Sequence, residues 1–369
     1  MGKQELFEEN FERIKKTMRF EKTDRVPVLP TGNAFCAKAA HVPLADYCAN
    51  GPGSCDVHLK CWNSFSPTVD AVQCDLYNTG FLSPQWLSNV KVPGVELPPD
   101  ELWQVEEAET MKVDDYKKIV EGGFYNWFIP FIKEHFNDPL GRVATTIAEG
   151  PVARQKYIDA GIVPLVSAIV TIPFEVFCGG RSMIKFMTDM IKHADLLEEA
   201  IKVAAVEMLE ANRQMLRAAK PLGVWVGGWR GASNLMSLKM WERFVWPYFK
   251  ATTEMVIEEG VIPILHLDAN WTSSLDYFKE IPKYKCIMSP DGATDIHKAR
   301  LAMDNHMAIL GDVHAEMLAF DTPKDVKDYV HNLIKEFGGV GYMVSSGCDI
   351  PFNARVENVQ AMISAVYDA

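Results

Sequence analysis

From about residue 140 to the C-terminus, short apolar, β-branched runs alternate with amphipathic stretches at helical spacing. Few folds accept such an alternation. Each strand joined to the next through a crossover helix pairs in parallel, and a parallel sheet buries both of its faces. The strand candidates are Val143 to Ile147, Ile162 to Ile172, Gly223 to Val226, Val261 to His266, Cys286 to Met288, Ala308 to Leu310 and Tyr342 to Ser345. Asp195 to Ala219 reads as a helix, Ser237 caps another through Glu259, Asp295 caps a short one, and Thr322-Pro323 opens a further one. The last helix runs from about Val356 to Tyr367. The expected class is α/β, a (β/α)8 TIM barrel in which residues 1–369 form one domain.

The N-terminal part is less regular. Glu5 to Met18 reads as a polar amphipathic helix, and Arg25-Val26-Pro27-Val28-Leu29 as a first strand. Between about Pro30 and Leu102 the text is rich in Pro, Gly, Cys and Trp with little periodicity, which suggests strands carrying long loops near a site.

Charge and motifs remove several function classes. A formal net charge of -12 argues against a nucleic-acid-binding surface. No apolar segment is long enough to cross a bilayer, and no signal region opens the chain, so a cytoplasmic location is expected. The eight cysteines are scattered and read as reduced thiols. Phosphate-binding glycine loops and the G-x-S-x-G elbow are absent. Cys55 and Cys61 near His58 match no common zinc spacing.

In a parallel barrel the residues that follow each strand form the active-site rim. The run Val261 to Leu265 ends in His266-Leu267-Asp268, and period-2 geometry turns both potential ligands to one face. Tyr342 to Ser345 ends in a Gly347-Cys348 turn that would present a thiolate at the same rim. His266, Asp268 and Cys348 would give Zn2+ three protein ligands and one open position, the pattern of a catalytic site. Asp312, after Ala308 to Leu310, is another acid at a strand end.

The run Trp229-Arg230-Gly231-Ala232-Ser233-Asn234, then Trp241-Glu242-Arg243-Phe244-Val245-Trp246-Pro247, resembles the uroporphyrinogen decarboxylase superfamily. So do Asp24-Arg25-Val26-Pro27-Val28, Ile309-Leu310-Gly311-Asp312-Val313 and Ser345-Ser346-Gly347-Cys348-Asp349-Ile350-Pro351. The resemblance implies a (β/α)8 barrel. Its decarboxylase branch is cofactor-free and binds a polycarboxylate through arginines early in the chain, whereas Pro30 to Lys38 holds no arginine pair. Its zinc methyltransferase branch exchanges methyl groups with corrinoid proteins through an H-x-C pair and a Gly-Cys near the C-terminus. Here Asp268 stands where thiol-methylating members carry cysteine. A carboxylate leaves zinc a harder Lewis acid than a thiolate does, which favours an oxygen substrate.

The resemblance therefore implies transfer of a methyl group from a methoxylated aromatic (a phenyl methyl ether) to the Co(I) corrinoid of a partner protein. Thiol methylation from a methyl-corrinoid and cofactor-free decarboxylation are the alternatives. Glu149, after Val143 to Ile147, is a candidate fourth ligand or a plain surface carboxylate. Asp291 and Asp312 are candidates for touching zinc or substrate, or for orienting His266 from behind. Trp225, Trp229, Trp271, Phe352 and Phe35 are candidate ring-pocket walls, with Arg230 and Asn234 as hydrogen-bonding partners; core packing and loop shape are the competing explanations.

Overall fold

The computed structural model describes residues 2–49, 53–77, 79, 82–136 and 139–368. Its strands are β1 (Ala71–Val72), β2 (Asn89–Lys91), β3 (Gln104–Glu106), β4 (Val163–Pro164), β5 (Val166–Val170), β6 (Gly223–Gly228), β7 (Ile262–Leu267), β8 (Ile287–Pro290), β9 (Ala308–Leu310) and β10 (Tyr342–Met343). Strands β5 to β10 form one parallel sheet in sequence order, and β1 pairs in parallel with β4, which runs on through Leu165 into β5.

The sheet closes on itself. Val28 bridges Val344 in parallel, and its carbonyl accepts from the N–H groups of Asp70 and Ala71 at 3.1 and 3.3 Å. The segment at Val28 is thus the first stave and β10 the last, eight staves among the described residues when β4 and β5 count as one. The barrel is the one expected from the sequence.

Alternation along the staves explains the burial. Leu29, Ala71, Leu165, Ile264, Ile287, Ala308, Leu310 and Met343 turn inward and pack together. The helix Lys3–Met18 plugs the floor, its Ile14 and Met18 joining that cluster. Val28, Val72, Val224, Val226, Leu265, Leu267, Met288, Ile309 and Val344 turn outward under the helices. Two residues above the inner layer lie Thr31, Gln73, His266, Ser289 and Ser345, so the barrel interior becomes polar toward its C-terminal mouth.

The three anticipated caps are in place, with Ser237, Asp295 and Thr322 accepting from the N–H groups of Met240, Lys298 and Asp325. Other expectations need correction. Val143 to Ile147 is not a strand: it lies inside the helix Pro139–Ala160, which supplies the crossover that a parallel β1–β4 pair requires. The run Ile162 to Ile172 is split at Leu165, and its register against β6 shifts between Val166 and Ile169. The helix expected over Ser237 to Glu259 breaks at Val245 into Leu238–Phe244 and Trp246–Glu258, because Pro247 opens a new first turn. Flanking prolines reduce the first stave to the single bridge at Val28.

The region from Pro30 to Leu102 is more helical than its composition suggests. It carries the helices Asn33–Ala39, Leu44–Ala49, Ser54–Trp62 and Leu82–Trp86, and β2 pairs antiparallel with β3 beyond it. Positions 50–52, 78, 80 and 81 of that stretch lie outside the described residues.

Candidate metal centre at the barrel mouth

His266 is the third inward residue of β7 after Ile262 and Ile264, and it is 4% exposed. Asp268 follows one residue beyond the strand. Its N–H donates to the Gly228 carbonyl at 2.9 Å, and its own carbonyl accepts from Trp271 Nε1 at 2.7 Å. Ala269 then turns the chain at a φ of 62°, a left-handed conformation that costs a non-glycine residue. The Asp291 carboxylate holds that turn by accepting from the Ala269 N–H at 2.7 Å, and also accepts from Ala293 at 2.8 Å.

Cys348 arrives from the other side of the closure. Gly347 lies so close to the Asp291 carbonyl that a Cβ there would stand 2.4 Å from its oxygen, so only glycine lets the loop approach β8. Asp349 anchors the far side by accepting from the Asn33 N–H at 2.9 Å and from Thr31 Oγ1 at 3.3 Å. Its burial, only partly relieved by those donors, pushes its carboxyl up to about 6.

The ligand atoms of His266, Asp268 and Cys348 lie within 4.8 Å of one another. Cys348 Sγ is 3.8 Å and Asp268 Oδ1 3.3 Å from His266 Nε2. The Asp268 oxygen approaches without hydrogen-bond geometry, and it and His266 Nδ1 are buried with no hydrogen-bond partner. Burial alone would favour the neutral imidazole, but Asp268 and Cys348 outweigh it and raise His266 to about 10. Two electron-rich groups around one imidazole nitrogen draw positive charge into the cluster. An N, O and S donor set of this spread fits a zinc ion, held by these three residues with one position left for another ligand.

The wall beside the cluster is aromatic. Ile169 of β5 pairs with Trp225 of β6, so both face the mouth; Ile169 is 40% exposed there and Trp225 half-buried. Trp225 stacks on His266 with ring centroids 4.3 Å apart and planes at 20°. Trp229 folds back over Gly227, where a Cβ would meet its ring at 2.4 Å. Its other neighbour is Trp86, edge-on at 5.3 Å, over which the Arg230 guanidinium lies at the same distance.

The remaining expected site residues separate. Trp271 has no exposed surface and packs on Trp241, Phe249 and Phe278; it is no pocket wall, but stands behind the site and holds the Asp268 carbonyl. Phe35 is likewise buried, against Trp62 and Phe65. Asn234 is exposed on the turn Ser233–Leu235, and Phe352 packs against the Ala34, Ala37, Leu44 and Tyr47 cluster. Glu149 sits on the helix Pro139–Ala160, not at a strand end, and its Oε2 is buried without a partner. Asp312, raised by burial, accepts from Tyr329 at 2.7 Å and stands 4.0 Å from His314. Neither it nor Asp291 reaches His266 Nδ1 with a hydrogen bond.

Three residues of the mouth went unread in the sequence. Glu175 is fully buried and takes the N–H groups of Trp229, Arg230 and Gly231 at 2.9–3.0 Å, shaping the loop after β6. Gln73 links Trp225, Ser345 and the Leu29 carbonyl. Asp75, 4% exposed, keeps Oδ2 unpaired, and burial lifts it from 3.8 to about 6. An acid in a helix's first turn or a lone Gln carries no sequence signal for such roles.

The family model described as uroporphyrinogen decarboxylase (URO-D) matches residues 138–369. Among solved structures, the chain is similar to a methyltransferase from Methanosarcina mazei with a TM-score of 0.71 and 18% sequence identity, over 96% of this chain and 97% of that one. At that identity the likeness speaks to the fold. No curated protein matches the chain.

Proposed function

The chain belongs to the uroporphyrinogen decarboxylase family, and on that premise we propose that it is a zinc-dependent methyltransferase acting with a corrinoid protein. The methyl group of a methoxylated aromatic passes to the Co(I) corrinoid of that partner. One observation carries the reading: the donor atoms of His266, Asp268 and Cys348 converge, and the Asp268 oxygen has no hydrogen-bond partner to account for its burial. A decarboxylase that works without a cofactor gives such a cluster no task. The methyltransferase named among the structural neighbours is consistent with the reading.

His266, Asp268 and Cys348 would hold the ion, with Asp291 and Trp271 fixing the turn that carries Asp268. When bound, zinc supplies Lewis acidity toward the ether oxygen. The ether C–O bond breaks with its electron pair left on oxygen, so the leaving group is a phenolate. Asp268 in place of a second thiolate suits that oxygen-centred charge. Trp225, Trp229 and Ile169 offer a flat apolar wall for the ring, and Arg230 a cation beside it. Asn234, exposed on its turn, would meet substrate only at the outer edge of the mouth, whereas Glu149 on the crossover helix, Asp312 against Tyr329 and Phe352 in its own cluster take no part. A thiolate ligand and a Co(I) partner both require reducing surroundings, as in a cytoplasm.

Elemental analysis of wild type, His266→Ala and Cys348→Ala tests the centre. About one zinc per chain is expected in wild type and little in either variant. Free cob(I)alamin with a panel of methoxylated benzoates tests the transfer through loss of the Co(I) absorption. A zinc-free wild type would sink the proposal. Zinc binding with methylation of thiols from methylcobalamin, and no reaction with ethers, would move it to the thiol branch.

A further inference from the structure

We propose that Trp225 is a positioning residue of the metal centre, its indole face setting the plane of the His266 imidazole so that Nε2 is held toward Asp268 and Cys348. The inference rests on the metal-site reading above and goes beyond it. A histidine that ligates a metal ordinarily donates its second ring nitrogen to a carboxylate or carbonyl, which fixes the ring orientation. His266 has no such partner: Nδ1 is buried and unpaired, and the nearby carboxylates of Asp291 and Asp349 are committed to main-chain N–H groups. Something else must stop the ring from turning about its Cβ–Cγ bond.

The strand register supplies it. Across the parallel β6–β7 pair, Trp225 stands opposite Ile264 and Gly227 opposite His266. The side-chain space at Gly227 is filled by the Trp229 ring, and the Trp225 indole below it lies against the imidazole face, with centroids 4.3 Å apart and planes at 20°. A stacked indole blocks ring rotation while leaving both nitrogens unencumbered. The indole is itself tethered, since Nε1 donates to Gln73 Oε1 at 3.2 Å. Gln73 Nε2 in turn donates to the Leu29 carbonyl at 2.8 Å and to Ser345 Oγ at 2.9 Å. The brace therefore runs from the stave beside His266 through the barrel interior to the first and last staves. It ends three residues before Cys348, so one network references two of the three ligands to a common frame.

Zinc affinity by competition with a chromophoric chelator, and the visible absorption of the Co2+-substituted protein, test this in full-length wild type, Trp225→Leu, Trp225→Phe and Gln73→Met. Trp225→Leu is expected to weaken zinc binding about tenfold or more and to shift the Co2+ bands. Trp225→Phe, which keeps a stacking face, should restore affinity to within about threefold, with wild-type bands; this is the readout that a merely structural role would not produce. Gln73→Met, which cuts the tether only, should fall between them. Wild-type affinity and spectrum in Trp225→Leu would overturn the proposal, and if that variant does not fold, unchanged values in Gln73→Met overturn it instead. Zinc binding by wild type with unaltered variants removes only the role of Trp225, whereas no zinc in wild type removes the metal centre itself and this role with it.

Discussion

Asp75→Asn is expected to make the protein more stable at neutral pH. Asp75 lies just beyond β1, 4% exposed, with Oδ2 lacking a hydrogen-bond partner. Burial is the main cause that lifts its carboxyl from 3.8 to about 6; Ser167, Arg154 and the N–H groups of Asp75 and Leu76 oppose the rise without cancelling it. The folded protein thus holds this proton more tightly than the unfolded chain does, and stability declines as pH climbs from about 4 to about 6 and stays lower above that. Holding the ionised group at pH 7 costs about 3 kcal/mol as an upper figure. Asparagine carries no charge and keeps an acceptor for the main-chain N–H groups, so Asp75→Asn should gain about 1–3 kcal/mol at pH 7 and close to nothing at pH 4. Urea unfolding of both proteins at the two pH values measures this, since all other titrations cancel in the difference. A variant less stable than wild type at pH 7, or a difference independent of pH, would refute the reasoning.

Further outcomes follow from other sites. In the metal-free protein, His266, raised to about 10, contributes stability that is present below about pH 6.5 and lost as pH rises through 10; added zinc should flatten that dependence in unfolding measured by circular dichroism. Glu175→Ala leaves three main-chain N–H groups, that of Gly231 buried and those of Trp229 and Arg230 partly so, without an acceptor, and a loss of about 2–3 kcal/mol in urea unfolding is expected, with less than 1 arguing that water takes over. Asp70 is 1% exposed and accepts from Arg13, Arg25 and the Val28 N–H, so Asp70→Asn should cost about 3 kcal/mol, at the low end for a broken buried pair because Arg13 keeps Asp24 and Glu9. Asp268→Cys should retain zinc while methyl transfer from aromatic ethers falls at least about tenfold and thiol methylation appears; unchanged ether activity would show that the carboxylate does not select the substrate.

The barrel and the shared face of His266 and Asp268 were legible because both follow from period-2 geometry. An apolar run buried on both faces announces β6 to β10, and His266 and Asp268 inherit their common side from Ile262 and Ile264. The failures come from context. Val143 to Ile147 has the β-branched content of a strand, yet it falls where the topology demands a crossover, and it became helix with Ile147 61% exposed. Glu149 was misplaced along with it. Trp271 and Trp229 are the same residue type at neighbouring strand ends, and only the packing of Trp241, Phe249 and Phe278 decides that one is core and the other faces the mouth. Glu175 and Gln73 act across 54 and 272 residues of sequence, a separation at which a single sequence carries no pattern.

The closing seam sets the order in which the centre can be made. His266 and Asp268 lie on one strand end, but Cys348 is 82 residues beyond His266, in a loop gripped by Thr31 and Asn33 just beyond the first stave. During synthesis the first two donors are therefore complete while the third has yet to leave the ribosome, and it takes its place only after the last stave docks against the first. Convergence of the three donor atoms is then a mark of finished topology: a partly closed chain presents two of them, and only the closed barrel brings the third within 4.8 Å of the others.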